Sequence, residues 1–155
     1  KRLAENGIPN RFFHGDLQDT EKESLMEAWH EEKILCMVAT SAFGVGIDAP
    51  NVRLVILAGL PYSIFDLIQQ ASRSGRDGMA ADTFVLYHDE HERTRLRDMQ
   101  GAQLRLFHRV LSFASTNVCR MRQITRHLEE PERCCADSGI EVACDVCRRS
   151  VGCTS

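Results

Sequence analysis

An α/β fold is predicted: a parallel sheet layered with helices, followed by a small helical, cysteine-rich subdomain. Three observations predict it. Strand and helix signals alternate over residues 1–92, the strand segments are nearly all apolar, and six of the seven cysteines lie between positions 119 and 153. Short, continuously apolar strands suit a parallel sheet covered on both faces, and a βαβαβ order is how such a sheet is built.

The elements follow in order. RFFH (11–14) reads as the first strand, closed by a Gly15-Asp16 turn. Thr20 with Glu23 reads as a capping box, and Leu25, Met26 and Trp29 then recur as a helical stripe. ILCMV (34–38) and VRLVIL (52–57) read as buried strands. Ser63 with Asp66 opens a second helix that turns Ile64, Leu67 and Ile68 inward, and TFVLY (83–87) is a third buried strand. Beyond Asp89 the strand signal stops. Residues 90–99 are polar and helical, and Gly101 breaks them. Leu104, Phe107, Val110, Leu111 and Ala114 recur at helical spacing, as do Val118, Met121, Thr125 and Leu128, with Thr116 as a cap between the two helices. Past Pro131 the periodicity fails. The expected organisation is an α/β lobe over 1–92, a helical cysteine-rich subdomain over 93–150, and a tail at 151–155.

Composition restricts the class. With 43% hydrophobic and 26% charged residues the chain is globular rather than disordered. No apolar run approaches the roughly 20 residues that span a bilayer, and Lys1 opens no signal peptide. A protein that is not secreted, with no membrane partner, is expected. The first residue is not Met, so a fragment or processed product is also expected.

Charge is uneven beneath the net value of −3. Residues 1–92 carry 8 basic and 15 acidic side chains, whereas residues 93–126 carry eight arginines against the single acid Asp98. Arginine suits phosphate through its planar fork, so the block points to a polyanion. A solvated helical face is the other reading.

Two stretches carry candidate chemistry. VATSAFGVGIDAPNV (38–52) leaves a buried strand and enters a glycine-containing loop. Ligands of parallel sheets bind where loops leave the carboxyl ends of strands. Thr40 and Ser41 would donate to phosphate there, Gly44 and Gly46 would admit close backbone approach, and Asp48 would accept from a ribose hydroxyl. A plain strand-to-strand loop would also need the glycines. The second stretch, LIQQASRSGRDG (67–78), places Arg73 and Arg76 in a Ser/Gly-rich corner after the next strand. Two forks aimed outward from that edge suit the phosphates of a nucleotide held mainly by another surface, in the manner of an arginine finger. The chain has no G-x-x-x-x-G-K-[ST] loop and no acidic metal-binding strand. The arginines therefore read as half of a site.

These motifs, in this order, resemble the second RecA-like lobe of a superfamily-two helicase, and most closely the RecQ-type DNA helicases. HGDL (14–17) is similar to the loop after that lobe's second strand, VATSAFGVGIDAPNV to helicase motif five, and QQASRSGRDG to motif six. The resemblance implies an ATP-dependent 3′→5′ DNA helicase. It would use ATP with Mg²⁺ held mainly by a first RecA-like lobe, and would bind DNA, single-stranded or as tailed duplex. It would reside in the nucleus of a eukaryote, or otherwise in the cytoplasm. By the same resemblance Gln69, Arg73 and Arg76 face the nucleotide, with Arg76 as the finger. Asp48 lies near the ribose, while Thr40 and Gly46 touch the nucleic-acid backbone or relay its occupancy to the nucleotide. Ser72 stands where the family usually has Gly, a change that ordinary backbone angles at 72 would tolerate. Arg105, Arg109, Arg120 and Arg122 are the expected phosphate contacts of the basic block. A zinc-stabilised nucleic-acid-binding module without catalysis is the alternative from a different class.

The cysteines form the last constellation. Cys144-Asp-Val-Cys147 is a C-x-x-C knuckle, the Cys134-Cys135 pair supplies a third sulfur, and Cys119 on the last helix supplies a fourth. Clustering in a chain without a secretion signal favours metal over a disulfide scaffold. Four thiolates suit a closed tetrahedral Zn²⁺ site. Residues 130–155 hold few apolar groups and need such a tie to fold. Cys135 is taken over Cys134 because it shortens the loop to Cys144. The RecQ family likewise has a helical hairpin followed by a four-cysteine zinc platform. Cys36 and Trp29 read as packing residues. His14 reads as a loop histidine or a neighbour of the nucleic-acid path. His127 is a dispensable competitor for the metal, and Cys153 has no assigned role.

Overall fold

A computed structural model describes residues 2–40, 51–137 and 143–149. They fall into two compact units, divided between residues 50 and 51.

In the first unit α1 (Arg2–Glu5) precedes β1 (Arg11–Phe13), α2 (Asp19–His30) and β2 (Met37–Ala39). β1 and β2 pair in parallel, with Arg11 opposite Met37 and Phe13 opposite Ala39. α2 is the crossover between them and packs on β1, its Leu25, Met26 and Trp29 stripe half-buried. The helix begins earlier than Thr20. Gln18 is the cap, and its backbone N–H donates to Glu21 Oε2 at 3.1 Å. The box therefore sits two residues upstream of the Thr20–Glu23 pair, with the Gln18 side chain also accepting from the Glu21 amide. β2 also begins later than residue 34. Glu32 ends α2 at φ 57, and the amides of Lys33 and Ile34 both return to the Ala28 carbonyl. Ile34 and Leu35 are consumed by this C-terminal turn, leaving Leu35 83% exposed.

The second unit runs β3 (Leu54–Ala58), α3 (Ile64–Ala71), β4 (Asp82–Leu86), α4 (Asp89–Arg97), α5 (Gly101–Ser115), α6 (Arg120–His127) and α7 (Asp145–Arg149). β3 and β4 are parallel, with Leu54 opposite Asp82 and Ala58 opposite Leu86. Ser63 caps α3: its Oγ accepts from the Asp66 amide at 3.0 Å, satisfying one of the orphan donors of the first turn. The inward stripe is as expected, with Ile64 and Leu67 buried and Ile68 packed against the core. That core joins Leu60 and Ile64 to Met99, Phe107 and Val110. Phe107 and Val110 are fully buried, which explains the helical spacing on α5. Val55, Leu57 and Val85 form the covered face of the strand pair, whereas Leu54, Ile56, Phe84 and Leu86 are exposed. Thr116 is the C-cap of α5, and Cys119 is the N-cap of α6.

Candidate functional site

The Ser/Gly-rich corner is a tight turn anchored from below. Gly75 adopts φ +67, and a Cβ there would stand 3.0 Å from the Met79 carbonyl, so glycine is required. Its amide donates to the Val52 carbonyl at 3.0 Å. Two residues on, Asp77 is gripped by Arg53 at the foot of β3, with Nη1 to Oδ1 at 3.0 Å and Nη2 on Oδ2. That pairing holds the Asp77 carboxyl below the usual carboxylate range. Asp77 Oδ1 also accepts from the Met79 amide at 3.1 Å, closing an Asx-type turn.

On this base stand the residues expected to meet a nucleotide. Gln69 is exposed on the last turn of α3, Arg73 is half-buried, and Arg76 is exposed. Gln69 belongs to α3, whereas Arg73 and Arg76 lie in the turn beyond its Ser72 cap. Arg76 Nε donates to the Ser72 carbonyl at 3.2 Å. Burial, and then the charge of Arg76, lowers the Arg73 pKa. Ser72 has φ −67 and ψ 2, angles any residue adopts, so serine distorts nothing there. Thr40 is exposed just beyond β2, its amide bonded to the Phe13 carbonyl at 3.1 Å. Ser41, Gly44, Gly46 and Asp48 lie outside the described residues, as do Cys153 and the segment 138–142.

The four arginines expected to contact phosphate do not behave alike. Arg105 and Arg109 are exposed one turn apart on α5, and Arg122 is half-buried on α6. Arg120 is committed elsewhere. Its side chain is 17% exposed and pairs with Asp145 at 2.9 Å. It also donates to the carbonyls of Phe113, of Thr116 at 3.1 Å and of Ala114 at 3.3 Å, and it lies 5.2 Å from the Phe113 ring centroid.

Four thiols converge as the spacing predicts. The Sγ atoms of Cys119, Cys135, Cys144 and Cys147 all lie within 4.8 Å of one another, two residues buried and two half-buried. A tetrahedral ZnS₄ centre with Zn–S of about 2.3 Å needs sulfurs about 3.8 Å apart. Cys119 and Cys135 are 3.6 Å apart, so the donor set fits in number, softness and size. Cys134 Sγ is 4.0 Å from Cys147 Sγ, at the edge of the same cluster. Burial raises the thiol pKa of Cys135 and Cys147. Burial also opposes ionisation of Cys119, but the backbone amides of Arg122 and Cys135 and the neighbouring thiols outweigh it, bringing that thiol to about 7. A cysteine at the start of a helix is the member of the set best placed to be a thiolate. The Arg120 amide further donates to Cys144 Sγ at 3.4 Å.

Asp145, Arg53, Asp77 and the pair Glu92–Arg95 were not among the residues expected from sequence. Asp145 carried a readable signal. An acid between the two cysteines of the knuckle adds negative charge beside thiols that ionise to anions, and calls for a cation.

Comparison with known proteins shows what the chain is similar to. The helicase conserved C-terminal domain family matches residues 1–78. A putative ATP-dependent DNA helicase Q1 of Caenorhabditis briggsae is 33% identical over 97% of this chain and 24% of its own length. The RecQ-like DNA helicase blm-1 of Caenorhabditis elegans is 34% identical over 95% and 16% respectively. The ATP-dependent DNA helicase RecQ of Bacillus subtilis is 30% identical over 86% and 24%. The chain thus spans about a quarter or less of these relatives. Among solved structures, the E. coli DEAD-box protein SrmB superposes with TM-score 0.55 at 24% identity, over 64% of this chain and 60% of that one. The C-terminal domain of the DEAD-box protein Dbp5 gives 0.51 at 21% identity, over 86% and 63%. At such identities they bear on the fold alone.

Proposed function

Because the chain belongs to the helicase conserved C-terminal domain family and its relatives are of the RecQ type, we propose that it is the C-terminal half of an ATP-dependent 3′→5′ DNA helicase core. The RecA-like lobe runs to about residue 92, and a helical zinc-binding subdomain follows over 93–150. A first RecA-like lobe supplies the surface that holds ATP and Mg²⁺.

The observation that carries this reading is the anchored turn that follows Gln69 and bears Arg73 and Arg76, held by Gly75, by the Arg53–Asp77 bridge and by the Arg76 bond to the Ser72 carbonyl. In phosphoryl transfer to water, charge spreads over the equatorial oxygens of the transferred group as its bond to the leaving oxygen lengthens. Arg76 meets that charge, Arg73 holds the neighbouring phosphate, and Gln69 orients by hydrogen bonding. Arg53 and Asp77 keep the turn in place, so the arginines are aimed before the nucleotide arrives. Arg105, Arg109 and Arg122 track the DNA phosphates. The four thiolates hold Zn²⁺, which supplies a rigid tie and no redox or acid chemistry.

The test is Arg76→Ala in the full-length helicase. ATP binding should stay within a few-fold while DNA-stimulated hydrolysis slows by about 10³-fold, the range of arginine fingers. Unchanged turnover would remove Arg76 from this role.

A further inference from the structure

β3 ends at Ala58, and Gly59 at φ +103 turns the chain toward α4. The next residue, Leu60, has both faces of its backbone held by side chains of that helix. Glu92 Oε1 accepts from the Leu60 amide at 3.2 Å, and Arg95 Nη1 donates to the Leu60 carbonyl at 2.7 Å. Arg95 Nη1 also bonds Glu92 Oε2 at 2.6 Å, which closes a ring around one residue. Glu92 is fully buried, yet both its oxygens are engaged. The Arg95 guanidinium carbon lies 4.7 Å from the ring centroids of both Tyr62 and Phe107.

We propose that Glu92 and Arg95 are positioning residues that set α3, and with it Gln69, Arg73 and Arg76, relative to the DNA-facing helix α5. The inference rests on the function proposed above for those arginines. Leu60 stands three residues before the Ser63 cap, so fixing its peptide fixes where α3 begins. On the other side, α4 leads through buried Met99 into α5, which contributes Phe107 to the bracket and exposes Arg105 and Arg109. One rigid ring thus lies between the two sets of arginines. Stability alone does not call for it, since a buried ion pair replaced by well-packed apolar residues is often no worse. What apolar packing lacks is direction: hydrogen bonds to the N–H and C=O of one residue fix its orientation as well as its depth.

The experiment uses the full-length helicase with Glu92→Gln and with the double substitution Glu92→Leu/Arg95→Met. In Glu92→Gln, kcat for DNA-stimulated hydrolysis should fall by about 10-fold, as expected when reacting groups are misaligned. KM for ATP, affinity for DNA and zinc content should stay near wild type, and amide exchange over residues 59–72 should quicken. The double variant should keep a near-native thermal midpoint and still hydrolyse slowly. A double variant that recovers the rate would reduce the pair to packing and overturn the proposal. If the double variant does not fold, Glu92→Gln decides: normal kcat with unchanged exchange overturns it equally. Arg76→Ala in parallel separates the two readings. A slow Arg76→Ala beside a normal Glu92→Gln sinks the positioning role alone. A wild-type enzyme without DNA-stimulated hydrolysis sinks both.

Discussion

Arg120 grips Asp145 at two points, Nε to Oδ1 and Nη2 to Oδ2, both at 2.9 Å. Asp145 lies between Cys144 and Cys147, while Arg120 opens α6 directly after Cys119. The fork therefore joins two cysteine-bearing segments, and its remaining donors meet carbonyls at the end of α5 and at its Thr116 cap. Arg120→Gln should destabilise the metal-loaded chain by about 2 kcal/mol, the scale of lost hydrogen bonds between charged groups. Denaturant unfolding at constant zinc measures this. A variant as stable as wild type would show that the fork is dispensable.

The same contrast divides the basic block. Replacing Arg105, Arg109 and Arg122 with Gln should flatten the dependence of DNA affinity on salt by up to roughly three phosphate contacts. Arg120→Gln should leave that slope nearly unchanged, because its donors already face protein. Fluorescence anisotropy with tailed duplex over a salt series reads the slope. A slope insensitive to the three substitutions would assign the block to solvation.

One Zn²⁺ per chain is expected, bound with folding free energy on the order of 10 kcal/mol. Chelation should loosen residues 115–150 while the strand pairs remain protected. Cys144→Ser should do the same, and Cys36→Ser should leave the metal in place. Elemental analysis with hydrogen exchange decides. Absence of stoichiometric metal, with the cysteine region protected regardless, would end the zinc reading.

The Arg53–Asp77 pair sets a pH dependence. Its hydrogen bond to Arg53 lowers the Asp77 pKa from 3.8. The stabilisation it confers is therefore present above that value and lost as pH falls through the lower folded-state pKa. Both partners are exposed to solvent, so the effect is modest and salt-sensitive. Thermal unfolding of wild type and Asp77→Asn should differ by a constant amount at neutral pH and converge below about pH 4. A difference that persists unchanged to pH 2 would contradict the bridge.

Signals spanning a turn or two are legible in the sequence. Ser63 and Asp66 mark the start of α3, Phe107 and Val110 mark the buried face of α5, and the C-x-x-C knuckle with Cys119 and Cys135 names the thiol cluster. Each depends on the local period of a helix or on ligand chemistry that few residue types share. The details that differ are local too: Gln18–Glu21 does the capping expected of Thr20–Glu23, and the turn at Glu32 consumes Ile34 and Leu35. In both, one sequence offers two compatible starts and neighbouring hydrogen bonds choose between them.

The amino-acid sequence by itself determined the parallel strands, the main helices α2 to α6 and the set of cysteines that come together. Only the tertiary structure decided which polar groups hold them in place. Arg53 meets Asp77 from 24 residues away, Arg120 meets Asp145 from 25, and Glu92 meets the Leu60 amide from 32. A charged side chain advertises in sequence that it needs a partner. Which partner it finds depends on where folding brings the chain back; the cysteines are marked as a set by a ligand chemistry few residue types share, whereas a charged residue carries no mark of the one partner it will meet.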